Sequence, residues 1–294
     1  MAENLLTTVG GEPKGAGDSY NCSREVIDLG LDILGKELNF RISVGKGQAR
    51  LPDIVPLART LCTEITNLVI ESILSDGGQI PCRKGCAACC DRYLVPLSVP
   101  EALRLKEEIS AVSGYQHESI WRACFLAARR ILSQKPPKSF MGQTAEASPV
   151  SPVDLDLVSS WYASLKLACP FLYNSVCTIY EQRPLACREH FVKGSASVCR
   201  GERGIAEVVE MPVQLPNALG ELASELEGTS VEAVILPFAL VWCEENPERA
   251  ERTWPAATMV KRFVEIVKAM ASQNSTAVVT KQGQLLVFQK RIGQ

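Results

Sequence analysis

Histidine is almost missing from this chain of 294 residues; there are two, His117 and His190. A histidine-based catalytic site or a two-histidine-one-carboxylate iron site is therefore not expected. Excess positive charge is missing too. The formal net charge is −2, which argues against a general nucleic-acid binder, since such a protein releases counterions from a basic surface. Long hydrophobic runs are also lacking. The longest, Ala233 to Cys243, has 11 residues and includes Pro237, whereas a membrane span needs about 20. The N-terminal stretch MAENLLTTVGGEPKGAG has neither a basic start nor a long apolar core. No signal peptide is expected from it, and a cytoplasmic location away from membranes is the expectation.

What is present is cysteine. The chain has 12, with 46% hydrophobic and 22% charged residues, enough apolar content for a globular core without disulfide staples. In a reducing compartment, clustered cysteines point to metal binding or redox chemistry rather than to disulfides.

The pattern of the rest predicts a mainly α protein, with irregular cysteine-rich metal-binding loops between helices and a small C-terminal β-hairpin. Residues 1–21 read as a flexible tail, rich in glycine and poor in apolar residues. Gly15-Ala16-Gly17 begins like a dinucleotide fingerprint but has no third glycine and no preceding strand. Residues 22–79 read as an N-terminal helical region, with a short helix over 23–38 and a longer one over 53–75. The longer one carries Ile54, Ala58, Leu61, Ile65, Leu68 and Ser72 or Ile73 at helical spacing and ends at Gly77-Gly78.

Residues 80–204 read as the cysteine-cluster domain. Ser98-Val99-Pro100-Glu101 has the form of a capping box, so a helix is expected to about residue 112. Ile120, Cys124, Ala127 and Ile131 mark another helix face. Residues 134–153, with four prolines, read as a long loop. A further helix opens at 151–154, with Leu157, Trp161, Leu165 and Ala168 as its stripe. Residues 205–294 read as a C-terminal helical region, with helices over 217–227 and 254–273. The segment TAVVTKQGQLLVFQK reads as a hairpin turning at Gln282-Gly283. There is no internal repeat and no alternation of strands with helices.

Two groups of cysteines carry the chemistry. Cys82, Cys86, Cys89 and Cys90 lie within CRKGCAACC, and Cys169, Cys177, Cys187 and Cys199 lie in the second stretch. Short spacings let one turn of chain present several sulfurs to a common centre, and thiolates suit zinc and iron–sulfur clusters. Adjacent Cys89 and Cys90 do not easily share one ion, because neighbouring side chains diverge in a strand and differ by about 100° in a helix. Either one of them stands back from the metal or the pair bridges toward two centres. Eight thiols suffice for two four-sulfur sites, or for one with spare reactive thiols. Around both stretches basic residues outnumber acidic ones. Arg83, Lys84 and Arg92 face Asp91 in the first, and Arg183, Arg188, Lys193, Arg200 and Arg203 face Glu181, Glu189 and Glu202 in the second. Such cations lower thiol pKa and offset a multi-thiolate charge. Cys22, Cys62, Cys124 and Cys243 are isolated and read as structural. His190 could share a helix face with Cys187, but an ordinary partly buried histidine is the preferred reading.

The two stretches together resemble the YkgJ-type cysteine-cluster family, the CxxCxxCC zinc- or iron-chelating domain. Cys82, Cys86, Cys89 and Cys90 match its start. Cys169-Pro170-Phe171-Leu172 match its middle, and the run from Cys177-Thr178-Ile179-Tyr180 through Arg183-Pro184 to Cys187-Arg188 matches its end. Cys199 is the looser final match. The resemblance covers about residues 80–200 and implies metal chelation by iron–sulfur or zinc, through the eight cysteines. It does not extend to His190. The segment 113–168 separates the two clusters more widely than in compact members.

The expectation is a metal-binding protein holding an iron–sulfur cluster or zinc, with redox activity open. Whether it is an enzyme, and with what substrate or protein partner, is left open. Two alternatives come from other classes. One is an S-adenosylmethionine-dependent enzyme, either similar to a flagellin lysine N-methylase or of the radical type. Cys82, Cys86 and Cys89 have the radical type's spacing, but the expected barrel strands are missing. The other is a thiol-based metal carrier or redox sensor, with Cys89 and Cys90 as exchanging thiols. The segment Ile179-Tyr180 to Arg183-Pro184 has a plainer role, with Arg183 bonding backbone carbonyls and Pro184 restraining the turn that aims Cys187.

Overall fold

The structure is a computed structural model and describes residues 6–9, 24–112, 114–137, 152–200, 202 and 207–281. Helices dominate, as expected, and every strand pairing among the described residues is short and antiparallel. No helix among them is long and apolar enough to cross a membrane.

The first departure from expectation is at the start. Strand β1 (Leu6–Val9) lies within the stretch read as a tail, and β2 (Glu25–Ile33) and β3 (Lys36–Val44) form a hairpin where a helix was expected. The three make one sheet in the order β1-β3-β2. The physical reason is visible in β2. Its buried residues Ile27, Leu29, Leu31 and Ile33 alternate with exposed ones, which is the period of a half-buried strand. Because every second position is apolar, positions four apart are apolar as well, and the segment imitates a helical stripe. The turn hides it further. Leu34 and Gly35 both take positive φ, 54° and 75°, as a two-residue hairpin turn requires, but leucine is not a residue that advertises such a turn.

After β4 (Gln48–Arg50) comes α1 (Val55–Ser75), whose buried Leu57, Ala58, Leu61, Cys62, Ile65, Leu68, Val69 and Ile73 recur at helical spacing. It ends sharply. The Gly78 N–H donates to the Ile73 carbonyl at 2.9 Å, and a Cβ at Gly78 would stand 2.7 Å from the Ile73 side chain. Only glycine lets the chain fold back there into the first cysteine loop.

Beyond that loop, β5 (Pro96–Ser98) leads into α2 (Val99–Ser110), with the expected capping box of Ser98 and Glu101. Then come α3 (Gly114–Ser133) and α4 (Pro152–Ser164). In α3 the buried face is Ile120, Cys124, Ala128 and Ile131, so Ala128 rather than Ala127 faces inward. In α4 it is Val158 and Tyr162 that are buried while Leu157 is exposed, and Ala168 lies beyond the helix. The expected stripe is displaced by one residue. The proline-rich loop over 134–153 falls largely outside the described residues.

The second cysteine stretch contains β6 (Leu172–Tyr173), β7 (Val176–Cys177), α5 (Leu185–Glu189), β8 (Val192–Lys193) and α6 (Ala196–Cys199), followed by β9 (Glu207–Val208). The C-terminal part holds α7 (Leu215–Glu227), β10 (Ala233–Ile235), α8 (Ala239–Glu245), α9 (Pro247–Glu251), β11 (Thr253–Pro255) and α10 (Ala256–Lys281). The expected C-terminal hairpin is not formed over 276–281, where α10 continues; the remainder of that segment lies outside the described residues, as does Cys22. Strand β10 pairs with β5 and β11 with β4, so the C-terminal part is tied into the N-terminal part.

Two hydrophobic cores result. The first gathers the inner face of β2 and β3 with α1, α7 and α10, around Leu29, Ile42, Leu61, Leu219 and Phe263. The second gathers β5, α2, α3, β10 and α8, around Leu97, Leu103, Cys124, Phe171 and Leu240. Short α5 stands between them, with Leu185 buried in the first core and Ala186 in the second. The cysteine segments occupy this seam.

Candidate metal centre

CRKGCAACC folds as successive tight turns. The Cys86 N–H donates to the Arg83 carbonyl at 2.9 Å and the Cys90 N–H to the Ala87 carbonyl at 3.1 Å, while the N–H groups of Arg92 and Tyr93 both reach the Cys89 carbonyl. Each turn places a sulfur on the concave side without a regular element to hold it.

The second stretch closes over this loop. The Cys169 N–H donates to the Cys90 carbonyl at 2.8 Å. From there β6 and β7 form a small hairpin that sets Cys177 opposite Leu172, with Asn174 and Ser175 in the turn at φ 49° and 63°. The 3₁₀ turn Tyr180–Gln182 and Pro184 then launch α5, which carries Cys187. The first N–H of α5, that of Leu185, donates to Glu101 Oε1 at 2.7 Å, and Glu101 Oε2 accepts from Ser98 Oγ at 2.9 Å. One buried carboxylate thus caps two helices and fixes the position of Cys187. Outside, Lys84 Nζ meets Glu181 at 3.0 Å and Arg92 Nη2 donates to the Arg200 carbonyl at 3.0 Å. The two stretches, far apart in sequence, are therefore one body.

Between them lies a cavity of about 290 Å³. Seven of the eight expected cysteines line it: Cys82, Cys86, Cys89, Cys90, Cys169, Cys177 and Cys187. Cys199 does not, although its thiol lies close enough to Cys82 and Cys86 to feel their charge. Among the described residues no three His, Cys, Asp or Glu side chains stand together as a formed metal-binding group; the thiols share a cavity rather than converge on one point.

The electrostatics are dominated by burial of the thiols. Burial pushes Cys169 up to about 12 and Cys187 well above the ordinary thiol value, and their thiol neighbours push in the same direction. Burial also raises Cys82, Cys177 and Cys199. Cys89 donates to Cys90, which lowers Cys90 and raises Cys89. Arg183 is the cation that acts on the most sulfurs, favouring the thiolates of Cys82, Cys90, Cys177 and Cys187. Its Nε donates to the Tyr180 carbonyl at 3.0 Å and its guanidinium lies 3.7 Å from the Tyr180 ring centroid. Arg188 braces the same turn by donating to the Arg183 and Glu181 carbonyls. Burial holds most of these thiols in their neutral form, and a bound metal cation would favour their ionised form. The donor set fits soft, tetrahedral ligation of zinc or iron.

Several neighbours had no sequence signal. Cys62, expected to be structural, also lines the cavity; it is buried and pushed up to about 12 by burial. Tyr93 and His190 line it as a stacked pair, ring centroids 3.9 Å apart at 11°. Burial lowers the His190 pKa. Tyr162 and Phe171 complete the apolar wall. Of the other isolated cysteines, Cys124 and Cys243 are buried in the second core, and His117 accepts a bond from Trp121 at 3.0 Å.

Two cysteine stretches folded over one thiol-lined cavity suit a metal-chelating domain. Residues 81–202 match the model of the CxxCxxCC family, described as "Putative zinc- or iron-chelating domain". This is the family that the two cysteine stretches resemble, and the match spans 81–202 of the 294 residues. Comparison with curated proteins and with solved structures gave no match in either case.

Proposed function

We propose that this protein binds a zinc or iron centre through Cys82, Cys86, Cys89, Cys90, Cys169, Cys177, Cys187 and Cys199. The observation that carries the reading is the common cavity lined by seven of these thiols from two distant segments. Buried structural cysteines scatter through cores, as Cys124 and Cys243 do here; they do not gather against one concave wall. In the bound state these residues would hold the metal as thiolates, Arg183 would offset their charge, and Glu101 would keep α5 in position. With zinc the centre would be a structural clamp between the two cores. With an iron–sulfur cluster it would also be able to carry an electron.

The radical S-adenosylmethionine reading is less well supported, because it needs a barrel of parallel strands and the described strand pairs are all antiparallel. Cobalt(II) titration of metal-free, reduced protein tests the proposal. Thiolate ligation gives an intense near-ultraviolet charge-transfer band together with the visible bands of tetrahedral cobalt. A spectrum like that of the aqueous ion would overturn it.

A further inference from the structure

We infer that the eight cysteines divide into two four-thiol centres, Cys90, Cys169, Cys177 and Cys187 forming one and Cys82, Cys86, Cys89 and Cys199 the other, with the Cys89–Cys90 peptide as the seam. This rests on the metal-binding reading above and deepens it.

Packing separates the sets first. Cys169, Cys177 and Cys187 pack against the second hydrophobic core, whereas Cys82 packs against the first. Backbone bonds separate them again. The Cys169 N–H is fastened to the Cys90 carbonyl, which puts Cys90 with the second-core group. On the other side, the Gly194 N–H donates to the Gln79 carbonyl at 2.9 Å and the Val192 N–H donates to the Cys82 thiol. These bonds, with Arg92 on the Arg200 carbonyl, bring the segment that carries Cys199 to the start of the first loop.

The thiols' own electrostatic neighbours fall along the same line. Cys187 senses Cys169, Cys90 and Cys177. Cys177 senses Cys90. Cys199 senses Cys82 and Cys86, and Cys82 senses Cys86. Cys89 and Cys90 link the sets: the Cys89 thiol donates to that of Cys90 and also senses Cys187 on one side and Cys199 on the other, as befits the pair at the boundary. The two centres would abut at this pair.

The test is cobalt(II) titration of the full metal-free chain against a competing chelator, with native mass spectrometry to count bound ions. The wild type should take two ions per chain in two resolvable phases. Cys177→Ser should weaken one phase by at least about tenfold and leave the other in place; Cys199→Ser should do the reverse. These two carry the less enclosed sulfurs, and circular dichroism checks that each variant folds. If either variant fails to fold, the wild-type count decides, two ions supporting the division and one contradicting it. A single ion in the wild type, or both variants weakening the same phase, would overturn the two-centre arrangement while leaving metal binding intact. No thiolate-bound ion at all would overturn the metal-binding reading itself.

Discussion

The Cys169 N–H donates to the carbonyl of Cys90 at 2.8 Å, although α2, α3 and α4 lie between them in the chain. This bond joins the last residue of the first cysteine loop to the first residue of the second stretch. It turns two motifs into one cavity, and most of what can be tested about the protein concerns what holds that joint in place.

Arg183 is the first such element. Its guanidinium favours ionisation of four of the cavity thiols. An opposite charge at close range is worth a pKa unit or more. Arg183→Gln is therefore expected to reduce metal affinity by roughly tenfold at neutral pH, and Arg183→Lys by less. Competition with a chromophoric chelator measures both. Equal affinity for Arg183→Gln and wild type would remove Arg183 from the account.

Glu101 is the second. It is 1% exposed and satisfies Ser98 and the first N–H of α5. Glu101→Ala leaves a buried donor unpaired and removes a cap, with an expected loss of about 2–4 kcal/mol in urea unfolding. Metal affinity should fall with it, since Cys187 rides on α5. Glu101→Gln keeps an acceptor for Leu185 and should cost less.

A third prediction concerns the frame alone. Arg249 bonds Glu227 at 2.5 and 3.1 Å and Glu232 at 2.7 Å, and the Glu227 side chain has no exposed surface. Removing Glu227 takes from Arg249 its fully buried, two-pronged partner and leaves it the more exposed Glu232. Glu227→Ala should cost about 2–3 kcal/mol by thermal or urea unfolding. Because the pair is remote from the cavity, the metal content of the folded variant should not change. An exposed pair such as Lys84–Glu181 should contribute under about 1 kcal/mol.

The buried cysteines outside the cavity give a pH prediction. Burial pushes Cys124 and Cys243 up to about 12 from the ordinary thiol value of 9.0. The folded protein favours their neutral form, so their contribution to stability is whole below pH 9 and is lost as pH rises toward 12. Both should resist iodoacetamide in the folded state at pH 8 and react on unfolding, as followed by peptide mass spectrometry. Rapid labelling of either in the folded protein would contradict their placement.

Much of this was legible in the sequence, and the parts that were not have physical causes. The helix around Leu61 and Ile65 and the cap at Ser98–Glu101 announce themselves through spacing that belongs to helices alone. The hairpin of Ile27, Leu29, Leu31 and Ile33 did not, because its alternation contains a helical repeat and its turn uses Leu34. The sulfur-bearing residues were readable because cysteines that merely fill a core are spread along the chain, not gathered four to a loop. The Tyr93–His190 stack, the approach of Cys62 and the clamp from Glu101 to Leu185 were not, since each depends on contacts across long stretches of chain that no local pattern encodes. Whether the two clusters met at all was beyond the sequence, given the helices inserted between them.

The most direct measurement is the metal and acid-labile sulfide content of protein purified without oxygen, together with its visible spectrum. The account predicts zinc, or iron, in stoichiometric amount, with matching sulfide and a brown chromophore in the iron–sulfur case. Folded protein with all eight cysteines reduced and intact, and with neither metal present nor taken up on reconstitution, would contradict it.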